Sequence, residues 1–488
     1  MARAPAAKRA RAAGPRTVSA RLSAQAKLEA RPDGHIVVHL DGYPLDLGWF
    51  SAAAAKRALA LHTGVPLASF ESRRSLDREF ASLTQRLARH GLLEYPVAQR
   101  RGADAVVIEP QMADYWPQTP PLRSADVLAL SRFAYLRRRG DAMVLGSPRA
   151  GALFRICDPK IAAALTLLVA PQQLGRLRRQ KGFPGLELLA LLVDCQMLFK
   201  VGAAHDGNLR PVEGDTDLVL WDFHDLLFHA RSAPGRHANP VGGVYSYAAV
   251  TPAPPAVRRR WPGEAIDLSP FSGTVAEVSP IARLLRGRHS VRSFDDEQPI
   301  ALAELAQFLD GTTRVVSRWE SDVDLGNIRA PFAYATRPYP SAGASYELEL
   351  YLAVDKCDGL ARGFYHYDAG QHALVSIDVR TPHLDALLSE AQQSMGAPGK
   401  PQVVITIAAR FSRVSWKYSS LAYALILKDV GVLLQTLYLM ATDMGLGGCA
   451  IGSVDIDLFA KTTGLEFHVE GPVGQFALGR GKPSVSSE

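Results

Sequence analysis

The chain has 488 residues, 47% hydrophobic and 21% charged, which is long enough for more than one domain and excludes a disordered or collagen-like protein. No run reaches the roughly 18 consecutive apolar residues of a membrane-spanning helix, the nearest stretch, 186–199, being broken by Glu187, Asp194 and Gln196, so neither an integral membrane protein nor a membrane partner is expected. The net charge of +7 resides in the start of the chain, where Arg3, Lys8, Arg9, Arg11, Arg16, Arg21 and Lys27 precede the first acid, Glu29; the other 48 bases are matched by 48 acids, and no nucleic-acid partner is implied.

Residues 1–30 read as a disordered basic tail. Residues 35–47 then read as a β-hairpin turning at Asp41-Gly42, 52–61 as a helix, 76–93 as a second helix stopped by Gly91, and 93–97 as a strand. The order recurs further on, with a hairpin at 133–145 turning at Gly140-Asp141, strand and helix over 150–169, and a helix at 186–195 running into a strand at 196–201. Two winged-helix-like modules, 31–120 and 121–205, are expected, either clamping a peptide by strand addition or buttressing a catalytic domain.

Periodicity fades over 206–279, where Pro252, Pro254, Pro255 and Pro262 mark an extended linker. Inside it, Trp221-Asp222-Phe223-His224-Asp225-Leu226-Leu227-Phe228-His229 suits an aromatic docking segment better than a metal site. His224 and His229, five apart, do not share a helical face. Cys157, Cys195, Cys357 and Cys449 show no C-x-x-C spacing, so no metal site and no disulfide framework is expected and a cytoplasmic location is favoured.

Residues 280–488 read as an α+β domain. Residues 346–354 alternate as a strand, 403–409 form a continuous β-rich run, and 420–444 form a helix apolar nearly all round, hence expected to be buried on most sides. Four small constellations punctuate it. Arg288, Ser290 and Arg292 alternate, which in extended backbone turns all three to one side, suited to an anion such as phosphate. Pro340-Ser341-Ala342-Gly343 offers small residues and a hydroxyl. Gly445-Leu446-Gly447-Gly448 carries more glycine than a helix cap needs, and Ala477-Leu478-Gly479-Arg480-Gly481-Lys482 returns two bases after a strand.

In this order and spacing, over about 281–483, the four pieces resemble the FMN-dependent nitroreductase-like family. The resemblance implies a homodimer with FMN at the subunit interface. Arg288, His289, Ser290, Arg292 and Arg480 would hold the phosphate and ribityl chain, with Lys482 a weaker candidate. Pro340, Ser341 and Ala342 would meet FMN from the partner chain, and Gly447 and Gly448 would lie along the flavin ring. Trp416-Lys417-Tyr418 is similar to the W-K-Y motif of SagB/ThcOx-type azoline oxidases, and residues 131–138 and 221–232 resemble segments of their two-part members. An arginine common soon after W-K-Y in those enzymes is replaced here by Ser419-Ser420-Leu421.

That likeness implies oxidation of thiazolines or oxazolines to azoles in a ribosomally made precursor peptide already cyclised by a partner cyclodehydratase, with O2 as acceptor. Lys417, partly desolvated, would be the base, and Tyr418 would orient the ring or relay the proton. The alternatives are an NAD(P)H-dependent nitro- or quinone-reductase, a flavin-free scaffold that binds precursor peptide, and an oxidase of carrier-bound azolines.

Overall fold

A computed structural model describes residues 18–40, 43–70, 75–98, 103–202, 213, 217–239, 241–258, 260, 262–272, 279–324, 326 and 329–482. The chain divides into two compact units, Met1–Arg231 with Gly235–Ala238, and Ser232–Pro234 with Asn239–Glu488.

The first unit corrects the expected boundaries in three places. The tail ends earlier than residue 30, because Ser19–Leu22 and Ala26–Ala30 are strands; Val18, Ala20 and Leu22 alternate inward, a β pattern hidden among basic residues. The expected modules 31–120 and 121–205 are not separate bodies. A seven-stranded sheet runs through both, in the order Val65–Pro66, Ser19–Leu22, Leu93–Ala98, Asp104–Pro110, Ala152–Ile156, Ala142–Gly146, Tyr135–Arg139. The join is the antiparallel pairing of Asp104–Pro110 with Ala152–Ile156, which satisfies two strand edges that separate modules would leave open. One apolar cluster follows from it, from Val18 through Leu87, Ile108 and Phe154 to Leu198. The expected linker also begins later than residue 206, since helix Phe223–Ser232 buries Leu226 and Ala230.

Within this frame the expected order of elements is present. The hairpin His35–Leu40 and Tyr43–Trp49 precedes helices Ala52–Ala58 and Ser75–Arg89, with Gly91 at φ 65° after the second. The Asp41-Gly42 turn lies outside the described residues. The hairpin Tyr135–Arg139 and Ala142–Gly146 pairs Arg139 with Ala142 around the turn expected at Gly140-Asp141.

The second unit is α+β. Its six-stranded sheet runs Ala373–Ile377, Gly363–Asp368, Leu348–Val354, Val403–Arg410, Glu470–Gly479, Gly447–Ile451, with every neighbouring pair antiparallel. The strand Val403–Arg410 sits inside the sheet and is buried from Val403 to Ala409, as its unbroken apolar run requires. The glycines at 447 and 448 open the edge strand Gly447–Ile451 and do not form a loop. A two-stranded hairpin, Ser317–Asp324 with Arg329–Thr336, stands apart from the sheet.

Helix Ala422–Asp443 has a mean hydropathy of 1.5 and is long and apolar enough to cross a membrane by composition alone, yet it is a core element packed on helix Leu302–Thr313 and the sheet. Burial on most sides is not what the structure shows. One face, through Ile426, Val430, Leu433, Leu437 and Ala441, is buried, while Gly431 and Val432 near the middle are exposed.

The shared core of the first unit predicts that Phe154→Ala, at a fully buried ring, lowers its unfolding free energy by about 3–5 kcal/mol, read from urea unfolding.

Candidate active site

Two clusters of site residues form on the helix Ala422–Asp443. The first gathers on Tyr438. Its hydroxyl accepts from the Ala450 N–H at 2.8 Å and shares a 2.7 Å hydrogen bond with the Ser290 hydroxyl, while the Arg288 guanidinium lies 5.0 Å from its ring centre. The segment after Arg288 is held against the edge strand by Val291 N–H to Gly448 O, 2.9 Å, and against the last strand by Lys482 N–H to Ser293 O, 3.1 Å. A cleft of about 220 Å³ results, lined by His289, Val291, Tyr438, Thr442, Gly447, Gly448 and Gly481, among others. A Cβ on Gly447 would stand 2.7 Å from Val291 Cγ1, so only bare backbone fits that wall. Arg292 is exposed and has no ion-pair or hydrogen-bond partner among the described residues. Bare backbone, a hydroxyl and two available guanidiniums suit a flat ligand carrying phosphate. The cleft is smaller than the roughly 300–1,000 Å³ usual for cofactor pockets.

Arg480 is placed differently from the other bases. Its Nη2 donates to both oxygens of Glu304 at 2.8 and 2.7 Å, and its backbone N–H donates to Gln402 Oε1 at 2.9 Å. The Ala301 N–H and this arginine hold the Glu304 carboxyl below its usual range.

The second cluster gathers on Asp429. Its carboxylate accepts from Ser341 Oγ at 2.9 Å and from the Ala342 N–H at 2.8 Å, and Ser341 Oγ also lies 3.2 Å from Glu347 Oε2. Glu347 is fully buried, and burial together with the neighbouring Asp429 charge pushes its carboxyl well above the usual range. Lys417 and Tyr418 converge on this turn from the one-turn helix Ser412–Ser415, whose geometry continues through Tyr418 N–H to Val414 O, 2.8 Å. Lys417 Nζ donates to Gly343 O at 3.0 Å, and a Cβ on Gly343, at φ 57°, would stand 2.3 Å from the Tyr418 hydroxyl and 2.5 Å from Lys417 Nζ. Trp416 stacks on Phe332 at 5.2 Å, and Lys417 Nζ lies 5.4 Å from the Tyr334 ring centre. Lys417 is exposed in the chain by itself, so the partial desolvation expected for it is not supplied by its own residues.

Residues Pro340, Ser341 and Ala342 therefore do not line the cleft of His289, Gly447 and Gly448. Asp429 and Tyr438 are nine residues apart on one helix, roughly 13 Å along its axis at 1.5 Å per residue. Tyr438, Asp429 and Glu347 carry the two clusters, Glu304 holds Arg480, and none of the four was singled out from sequence. Asp429, an acid in the first half of a largely apolar helix, was the available signal.

Comparison with known proteins follows this division. Residues 285–480 match the model of the nitroreductase family, and residues 128–238 match that of the cyanobactin oxidase ThcOx. The second unit thus carries a region similar to nitroreductases, and the first a region similar to ThcOx. The ThcOx-matching region contains both first-unit segments singled out from sequence, and they dock on each other: Arg132 donates to the carbonyls of Trp221, at 3.0 Å, and Leu218, while Glu213 accepts from Ser131 Oγ and the Arg132 N–H. Trp221 stacks on the buried His229 at 5.8 Å.

The MJ1384 protein of Methanocaldococcus jannaschii, named as a nitroreductase, is 36% identical over 116 residues, 23% of this chain and 57% of that protein. The trifolitoxin-processing protein TfxB of Rhizobium leguminosarum bv. trifolii is 26% identical over 175 residues, 35% of this chain and 47% of TfxB. The chain thus spans about half the length of these curated relatives. Among solved structures, a chain of the E. coli microcin synthetase McbBCD complex with truncated pro-MccB17 is 21% identical, covering 58% of this chain and 100% of its own at a TM-score of 0.36. A nitroreductase-like protein of Desulfovibrio desulfuricans in complex with FMN is 15% identical, covering 43% and 91% at a TM-score of 0.27.

Glu347 keeps its proton in the fold to higher pH than in the unfolded chain, where its value is about 4.5. Between that value and about 7 the folded state binds more protons, so this group's contribution to stability falls as pH rises. Urea unfolding at pH 5 and pH 8 is expected to show a smaller fall for Glu347→Gln than for the unsubstituted protein.

Proposed function

We propose that the protein is an FMN-dependent oxidoreductase that converts thiazolines or oxazolines of a ribosomally made peptide to thiazoles or oxazoles. The observation that carries the reading is the convergence of Lys417 Nζ and the Tyr418 hydroxyl on Gly343, the lysine donating to its carbonyl, beside the Ser341 turn. The nitroreductase-family match over 285–480 supports a flavin, and the W-K-Y segment with the ThcOx match over 128–238 supports an azoline substrate. FMN would be held by Arg288, His289, Ser290 and Arg292, with Gly447 and Gly448 along its ring; Arg480 would act through the Asp295–Gln402–Glu304 network that fixes this strand end.

The azoline ring loses a proton from Cα and a hydride from its CH2, and O2 takes the electron pair to give hydrogen peroxide. Bound FMN supplies the hydride acceptor. Lys417 takes the Cα proton, and Tyr418 orients the ring nitrogen. The Gly343 carbonyl, itself fixed through Ser341 and Asp429, aims the lysine.

A homodimer completes this site. An isologous pairing of Ala422–Asp443 with its copy about exposed Gly431 and Val432 would run the helices antiparallel, bringing the Asp429 cluster of one chain towards the Tyr438 cluster of the other. It would also remove Lys417 from water, which its own chain does not. The peptide arrives from a cyclodehydratase of the same pathway, in the cytoplasm.

Lys417→Ala is expected to retain FMN and lower azole formation about 10²–10⁴-fold, with Tyr418→Phe less severe, measured by mass spectrometry of an azoline peptide. Full turnover by Lys417→Ala would remove it from the base role. Val432→Arg is expected to sediment as a monomer and to lose its flavin absorbance, because a buried unpaired cation opposes the pairing; a yellow dimer would overturn the shared site.

A further inference from the structure

Beside the W-K-Y segment lies a second cavity, of about 760 Å³, between the Ser317–Thr336 hairpin and one end of the six-stranded sheet. Four guanidiniums line it, those of Arg318, Arg337, Arg410 and Arg413. Glu349 serves two of them, at 3.8 Å from Arg337 and 3.2 Å from Arg410. Arg413 donates only to backbone carbonyls, those of Ser345 at 2.9 Å and Ala333 at 2.8 Å, which satisfy its hydrogen bonds without cancelling its charge. Arg318 is exposed and lies against Gly370. Among the described residues neither Arg318 nor Arg413 has a carboxylate partner.

The other two acids in the lining are already engaged. Asp368 accepts from the N–H groups of Gly370 and Gln371, and Glu470 accepts from the Tyr351 hydroxyl at 2.6 Å. Four arginines against Glu349, Asp368 and Glu470 leave one net positive charge, which a single carboxylate would neutralise. Burial and the nearby Arg410 charge hold Arg413 below its usual value, a cost that an incoming anion would relieve. The cavity also borders the reaction site: Tyr334 lines it and stands 5.4 Å from Lys417 Nζ, and Arg413 shares the short helix that presents Lys417.

We propose that this cavity is a subsite for a carboxylate of the substrate peptide, carried within a few residues of the azoline. At about 3.3 Å per extended residue, a side chain one to three positions away spans the gap. The inference rests on the azoline-oxidase reading and adds a sequence preference to it.

The test uses the full-length protein and three peptides of one sequence around a single azoline: a flanking Glu with an amidated C-terminus, Gln with an amidated C-terminus, and Gln with a free C-terminal carboxylate. KM comes from azole formation and Kd from calorimetry. The Glu peptide is expected to show a KM and Kd about tenfold below the amidated Gln peptide, as a charge-assisted pair would give. Arg318→Gln should abolish that difference with turnover of the Gln peptide unchanged, and Arg318→Glu should favour a Lys-flanked peptide instead. Tight binding of the third peptide alone would keep the subsite and name the chain terminus as its ligand. Equal Kd for all three peptides, or a preference that survives both Arg318→Gln and Arg413→Gln, overturns it. If no peptide is oxidised, the oxidase reading falls, and the Kd comparison still decides the subsite.

Discussion

The spacing of Asp429 and Tyr438 on one helix is the constraint on which the second unit depends. Each is a polar group on an apolar element, and each is satisfied by residues from distant parts of the chain: Ser341 and Ala342 for the carboxylate, Ser290 and Ala450 for the phenol. Burying either without its partners would cost about 1–3 kcal/mol or more. The demand for partners therefore draws the two constellations onto the helix, and a rigid rod of fixed rise holds them apart. Neither half by itself has the basic groups, the bare backbone and the lysine together. A site drawn from two copies of the chain, as proposed, would resolve that separation.

The first unit depends on a different economy. A strand pairing between Asp104–Pro110 and Ala152–Ile156 makes one sheet out of two similar runs of elements, and one core lies beneath it. The helix Phe223–Ser232 and the turn before it are then tied to Ser131 and Arg132 through Glu213 and the carbonyls of Leu218 and Trp221. Those contacts join segments nearly ninety residues apart within the matched region, 128–238.

Much of this was legible from local pattern. The strands Leu348–Val354 and Val403–Arg410, the long helix and both hairpins follow from periods of 2 and 3.6 and from glycine at the turns. The small-residue constellations stood out because glycine is otherwise unfavourable in regular elements. What was hidden is what depends on distance in sequence. Tyr438 meets Ser290 across 148 residues and Asp429 meets Ser341 across 88, and nothing local marks a helical tyrosine or aspartate as an anchor. The tail boundary was misplaced because basic charge masked the alternation of Val18, Ala20 and Leu22. The helix was expected to be buried on most sides because its composition does not separate a covered face from an exposed one.

The central claim is that the flavin accepts hydride from an azoline peptide with no nicotinamide present. Its most direct test is to mix the purified protein anaerobically with an azoline-containing peptide, following flavin absorbance and peptide mass together. Bleaching of the oxidised flavin with loss of two hydrogens from the peptide is the predicted result. A yellow protein that bleaches only with NAD(P)H and leaves the peptide mass unchanged would contradict it.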